Sequence, residues 1–213
     1  MRTDATSAPA AAVSRTGNTA PRRALFAGVG FAVLFIGGLV LSSLLGTGMY
    51  PSPFDSEAVA ASYVAANGGT VLAQGVMHVL AAVSLALFAG SAGNRRVRTA
   101  GWAAAAALAA SGLLNVVIPA VTGDTLHTLH YLTFLAGGQI HVPLLGLLVA
   151  VGTRAATGPR WTTVLGVVAA GLALLSLASF ATEAAMLLLP LGRFTAILWI
   201  VITAVRTPIT IAR

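Results

Sequence analysis

The chain has 213 residues, 57% of them hydrophobic and only 8% charged, far from the roughly one quarter charged residues of a soluble domain, so lipid rather than water is its main solvent. It has no cysteine, which excludes disulfides, thiolate metal sites, iron–sulfur clusters and a cysteine nucleophile. A net charge of +7 would suggest nucleic acid for a soluble protein; here every base is an arginine and most sit in short loops or at the ends of apolar runs, so membrane topology accounts for them and no nucleic-acid partner is expected.

Residues 1–23 are rich in Ala, Ser and Thr, carry Arg2, Arg15, Arg22 and Arg23, and read as a disordered cytoplasmic tail. Arg22-Arg23-Ala-Leu-Phe also resembles a twin-arginine export signal. No small-x-small cleavage pattern follows, and the next apolar run is long enough to span, so the arginines read as the inner flank of a first helix.

Uninterrupted apolar runs fall at 24–46, 70–92, 99–121, 126–153, 161–182 and 184–205, each about 22 residues or longer and so a candidate span. Irregular backbone facing lipid is forbidden, so the expected fold is all-α: a polytopic bundle of six transmembrane helices over 24–206, followed by a tail at 207–213. Arg95, Arg96 and Arg98 follow span two, Arg154 and Arg160 follow span four, and Arg206 and Arg213 end the chain, whereas Asp55, Glu57 and Asp124 occupy the other loops. By the positive-inside rule both termini are cytoplasmic, in the cell membrane.

The sizeable loop at 47–69 then faces outward. Glu57 to Ala66 is expected to form a short helix capped by Asp55 or Ser56 and stopped by Asn67-Gly68-Gly69. Val59, Tyr63 and Ala66 would form its apolar face across the outer mouth of the bundle, as a lid or as an interfacial helix filling space. Span three, GWAAAAALAASG, has small residues four apart on several faces and reads as the packing centre.

Ionisable and polar residues inside spans are expensive, so each is a functional candidate. Counting at 1.5 Å per residue places Gln74 and His78 about 6 and 12 Å below the outer surface, Asn115 about 6 Å, His127 and His130 about 2 and 6 Å, Glu183 at the rim and Arg193 about 13 Å deep. The outer half is thus polar and the inner half nearly empty apart from Gln139 and His141. That asymmetry predicts an outward-facing cavity formed by Gln74, His78, Asn115, His130, Glu183 and Arg193; hydrogen bonds that merely hold the helices together are the alternative. Arg193 is expected to snorkel outward to Glu183 across the turn between spans five and six, or to hold an anionic group with its planar fork.

At 100° per residue His127, His130 and His141 form one stripe on span four. Pro143 removes the backbone bond to Gln139, and Gly137-Gly138 weakens the turn before it, so a kink is expected around GGQIHVP, with His141 donating to a freed carbonyl or with carbonyls exposed to a ligand. A b-type haem would need His78 to face His130 or His141 at matched depth. Zinc would need Asp124, His127 and His130, at i, i+3 and i+6, with Glu183 or His78 as a fourth ligand.

The Arg-rich tail, six spans, the YPSPFDSEAVAASYVAANGG loop and the closing LLPLGRFTAILWIVITAV together resemble uncharacterised six-helix membrane proteins of actinobacterial type. The resemblance implies the fold and transfers no catalytic residue. The function expected is a non-enzymatic integral membrane protein whose cavity binds or moves a small ligand or lipid. The alternatives are a haem- or zinc-dependent oxidoreductase or hydrolase using the span-two and span-four histidines, and a structural or regulatory subunit of another membrane protein. Nothing resembling a nucleotide-binding loop or a nucleophile motif is present, which argues against a pump, kinase or protease.

Overall fold

The computed structural model describes residues 19–156 and 158–206. The tail residues 1–18 and 207–213 lie outside the described residues. The helices are α1 (Thr19–Leu45), α2 (Glu57–Gly90), α3 (Arg95–Val117), α4 (Gly123–Phe134), α5 (His141–Ala155), α6 (Arg160–Leu175) and α7 (Leu188–Arg206). A π-helical turn, Leu135–Ile140, joins α4 and α5 into one crossing, Gly123–Ala155. The protein is therefore an all-α six-helix bundle in which six helices are long and apolar enough to cross a membrane. Thr19 to Arg23, expected in the tail, already belong to α1.

The distribution of side chains is that of a protein solvated by lipid. Large apolar residues such as Phe26, Val33, Leu87, Val164 and Val167 face outward, while Asn67, His78, Ser111, Asn115, His130, Thr133, Gln139 and His141 are buried. In water this arrangement would be penalised twice, by exposed hydrocarbon and by buried polar groups. In lipid the first penalty vanishes, and close packing replaces hydrophobic burial as the force between helices.

The helices form a closed ring in the order α1, α2, α3, the α4–α5 crossing, α6 and α7, with α7 returning to α1. Phe31 and Phe35 of α1, Leu85 of α2, Leu108 of α3, Leu145 and Leu148 of α5 and Ile200 of α7 fill its centre. Small residues set the spacing. A Cβ on Gly75 of α2 would lie 2.7 Å from the Gly112 carbonyl oxygen of α3, and one on Gly112 would lie 2.8 Å from the Gly75 carbonyl oxygen. The two backbones touch, which only glycine on both sides allows.

The 47–69 stretch differs from its expected form. The helix starting at Glu57 does not stop at Asn67-Gly68-Gly69; it continues as α2, with a kink at Asn67 (φ −127°, ψ 19°). Its buried face is Ala60, Val64 and Asn67, whereas Val59 is 46% exposed. Asn67 explains both facts. Its Oδ1 accepts from the Thr47 backbone N–H at 2.7 Å and from the Thr47 hydroxyl at 3.2 Å, and its Nδ2 donates to the carbonyls of Thr47 at 3.2 Å and Tyr63 at 3.0 Å. Gly48 at φ +84° then turns the chain away from α1. One buried carboxamide thus clamps the chain leaving α1 to the bend of α2. Replacing Asn67 with Ala removes these bonds, each worth about 1 kcal/mol. We expect amides of residues 46–50 to exchange faster in hydrogen–deuterium exchange, with amides of α3 and α5 unchanged.

Candidate functional site

A cavity of about 420 Å³ lies inside the bundle, on the side of the loop that joins α1 to α2. Its walls follow from the helix packing. Gln74 and His78 of α2 flank Gly75, and Ser111 and Asn115 of α3 flank Gly112, each pair one helical turn apart and so on one face. The glycine contact holds these two faces edge to edge. Thr133 of α4, Gly137 and Gly138 of the π turn, and Arg193 of α7 complete the polar wall.

Arg193 donates to the carbonyl of Gly137. The π turn makes that carbonyl a suitable acceptor: the His141 N–H, which would bond Gly137 in a regular α-helix, reaches Ala136 and Gly138 instead. The guanidinium also lies 5.0 Å from the centre of the Phe35 ring, within cation–π distance. Phe35 in turn stacks on His78, with ring centres 5.2 Å apart and planes 8° from parallel. Ser111 donates to the Thr133 carbonyl at 3.0 Å, and Ser42 Oγ lies 3.2 Å from the Gln74 carboxamide oxygen.

Several polar atoms of these side chains have no partner among the described residues: both ring nitrogens of His78, the Thr133 hydroxyl and Nε of Arg193. His78 is only 7% exposed and Thr133 only 5%. Buried polar groups are nearly always paired, yet three residues of this wall, from three helices, each keep a buried polar atom unpaired.

Tyr50 roofs the cavity. Its hydroxyl donates to Asn115 Oδ1 at 3.1 Å, and its ring packs 5.3 Å from that of His130 and 5.4 Å from that of Tyr63, edge-on to the latter at 70°. Burial, with a smaller contribution from Tyr63, pushes the Tyr50 phenol above the usual tyrosine range, so it stays protonated and donates.

Of the residues singled out from the sequence, Gln74, His78, Asn115 and Arg193 line this cavity. Others lie elsewhere. Glu183 is exposed in the 3₁₀ turn Glu183–Leu187, and Arg193 turns to Gly137 and Phe35 rather than to it. In place of the expected ion pair, the guanidinium contacts the backbone carbonyl that the π turn offers. His130 is buried, but it packs on Tyr50 and is not on the cavity wall.

Among the described residues no group of three or more His, Asp or Glu side chains gathers to hold a metal. Asp124 is exposed and His127 half-buried while His130 points inward, as expected from positions i and i+6, which are about 120° apart on a helix. The zinc set is thus not brought together. Of the histidines considered for a haem pair, only His78 is on the cavity wall. His141 places Nδ1 2.8 Å from the Ala104 carbonyl of α3, so it serves a neighbouring helix and not a carbonyl freed by Pro143. Gln139 likewise donates to the Ser179 carbonyl at 3.0 Å. Ser111 and Thr133 give little signal in the sequence because a hydroxyl is cheap enough in a helix to pass as structural, and Tyr50 because it lies in the loop before α2.

No family model, no curated protein and no solved structure matches this chain.

Proposed function

We propose that this is an integral membrane protein, without catalytic activity of its own, whose polar cavity faces the extracytoplasmic side and binds or moves a small ligand or lipid. The observation that carries this reading is the convergence of polar side chains from four helices, Gln74 and His78, Asn115, Thr133 and Arg193, on one cavity. Orientation rests on charge. Arg22, Arg23, Arg95, Arg96, Arg98, Arg154, Arg160 and Arg206 all belong to the end of the bundle away from Tyr50, and Asp55, Glu57, Asp124 and Glu183 to the same end as Tyr50. The positive-inside rule assigns the first end, and with it both termini, to the cytoplasm of a bacterial cell. The small face of α3 is filled within the monomer, where Gly101 meets Ala89 and Gly112 meets Gly75. It therefore gives no support to a subunit role that would leave such a face for a partner.

The cysteine-free chain makes a direct test simple. Gln74→Cys introduces a single thiol on the cavity wall, and Ser91→Cys one at the opposite end. A membrane-impermeant thiol reagent added to intact cells is expected to label the Gln74→Cys protein and spare the Ser91→Cys protein. The reverse pattern would refute the orientation, and no labelling of Gln74→Cys from either side, in a folded protein, would refute the open cavity.

A further inference from the structure

The charge and shape of the cavity narrow its ligand; this step rests on the reading that the cavity binds one. Among the described residues its wall carries one guanidinium and no carboxylate. Arginine stays charged in proteins, and in a low-dielectric site an unbalanced charge is costly. A singly charged anion would balance Arg193; a neutral ligand would leave the guanidinium uncompensated, and a dianion would leave an excess of the opposite sign.

The hydrogen-bonding groups have the same bias. Arg193 has Nε unused and the Thr133 hydroxyl is unpartnered. Asn115 has its oxygen occupied by Tyr50, which leaves its NH2 to donate. His78, with neither ring nitrogen bonded, supplies a further N–H. Several donor side chains and one fixed cation lining one cavity are what a carboxylate or phosphodiester headgroup requires.

The rest of the cavity is hydrocarbon. Leu39 of α1 and Leu189, Pro190 and Phe194 of α7 line it, and Phe194 is at the same time 44% exposed on the outer surface of the bundle. The cavity thus reaches the lipid-facing surface along α7, giving an apolar chain a path to the bilayer. Its volume of about 420 Å³ lies in the range of about 300 to 1,000 Å³ usual for small-ligand sites.

We infer that the cavity holds a singly charged anionic amphiphile, its headgroup on Arg193 with Thr133, Asn115 and His78 around it, and its chain running out between α7 and α1.

The test is a charge series at constant chain length on the full chain in phosphatidylcholine nanodiscs: hexadecanoate, hexadecanol and hexadecyltrimethylammonium, with phosphatidylglycerol as a phosphodiester arm. Binding is read by displacement of a fluorescent long-chain carboxylate. We expect hexadecanoate or phosphatidylglycerol to bind about tenfold or more tightly than the alcohol, the difference expected for one charge-assisted contact, and the ammonium to bind least. Which anion binds better identifies carboxylate or phosphodiester as the preferred headgroup. In Arg193→Gln the advantage of the anion should vanish; in Thr133→Val it should shrink. Equal binding of the alcohol or the ammonium, or an undiminished preference in Arg193→Gln, would overturn the anion assignment while leaving a ligand-binding cavity in place. The series on the unaltered protein decides the matter even if Arg193→Gln does not fold, and the thiol labelling above tests the cavity independently.

Discussion

Adding one methyl group to Gly112 is expected to destabilise the whole bundle. In Gly112→Ala the new Cβ would stand 2.8 Å from the Gly75 carbonyl oxygen and 2.9 Å from both the backbone nitrogen and Cγ2 of Val79. Two of these three atoms are backbone and cannot rotate aside, so α2 and α3 must separate. Overpacking of this kind costs about 1–3 kcal/mol. In the reciprocal change, Gly75→Ala, the Cβ meets the Gly112 carbonyl oxygen at 2.7 Å and the Val116 nitrogen at 2.9 Å, so a similar loss is expected. The check is unfolding by sodium dodecyl sulfate in mixed micelles, followed by circular dichroism. The double variant carries the sharper expectation. Once the first methyl has forced the helices apart, the second meets less resistance, so the two losses should sum to more than the loss in the double variant. Strict additivity would mean that the helices do not rest on this contact. Because Gln74, His78, Ser111 and Asn115 stand beside the two glycines, the same separation should widen the cavity and weaken whatever it binds.

The spans were legible because about 22 apolar residues in a row have few other uses, and four cavity residues because a polar side chain in such a run is rare enough to notice. Counting along a helix gives height but not direction. His127, His130 and His141 share a stripe only if every residue between them turns by 100°. The π turn at Leu135–Ile140 fits an extra residue into one turn, and everything after it rotates by about the same angle. Hence His130 faces Tyr50 while His141 faces Ala104 of α3. Gly137-Gly138 and Pro143 announced a disturbance there, but not its kind. The same turn decided the partner of Arg193, since it offers the Gly137 carbonyl. Glu183 is near Arg193 along the chain but lies at the surface. Asn67 with the glycines after it has the sequence of a helix stop, but its long-range bonds to Thr47 make it a bend within a continuous helix.

Replacing Arg193 with methionine is expected to abolish anion preference while leaving the ligand-free fold almost as stable as before. A guanidinium at this depth disfavours insertion by about 2.5–3.5 kcal/mol, and methionine of similar length removes that penalty while keeping the packing of the stem. Against this stand the loss of the hydrogen bond to the Gly137 carbonyl, worth about 1.5–3 kcal/mol for a charged donor, and of the contact with the Phe35 face, about 0.5–2 kcal/mol. The terms oppose one another and are of similar size, so the net change should lie within about 1 kcal/mol of zero, smaller than the loss in Gly112→Ala. The same detergent titration measures it, with ligand binding followed in parallel. A fold nearly indifferent to Arg193 beside a binding site that depends on it would mean that the charge serves what enters the cavity. A loss of more than about 3 kcal/mol, the scale of breaking a buried charged pair, would instead make Arg193 a prop for the π turn, and the unpartnered atoms of His78 and Thr133 would then have to account for the ligand without it.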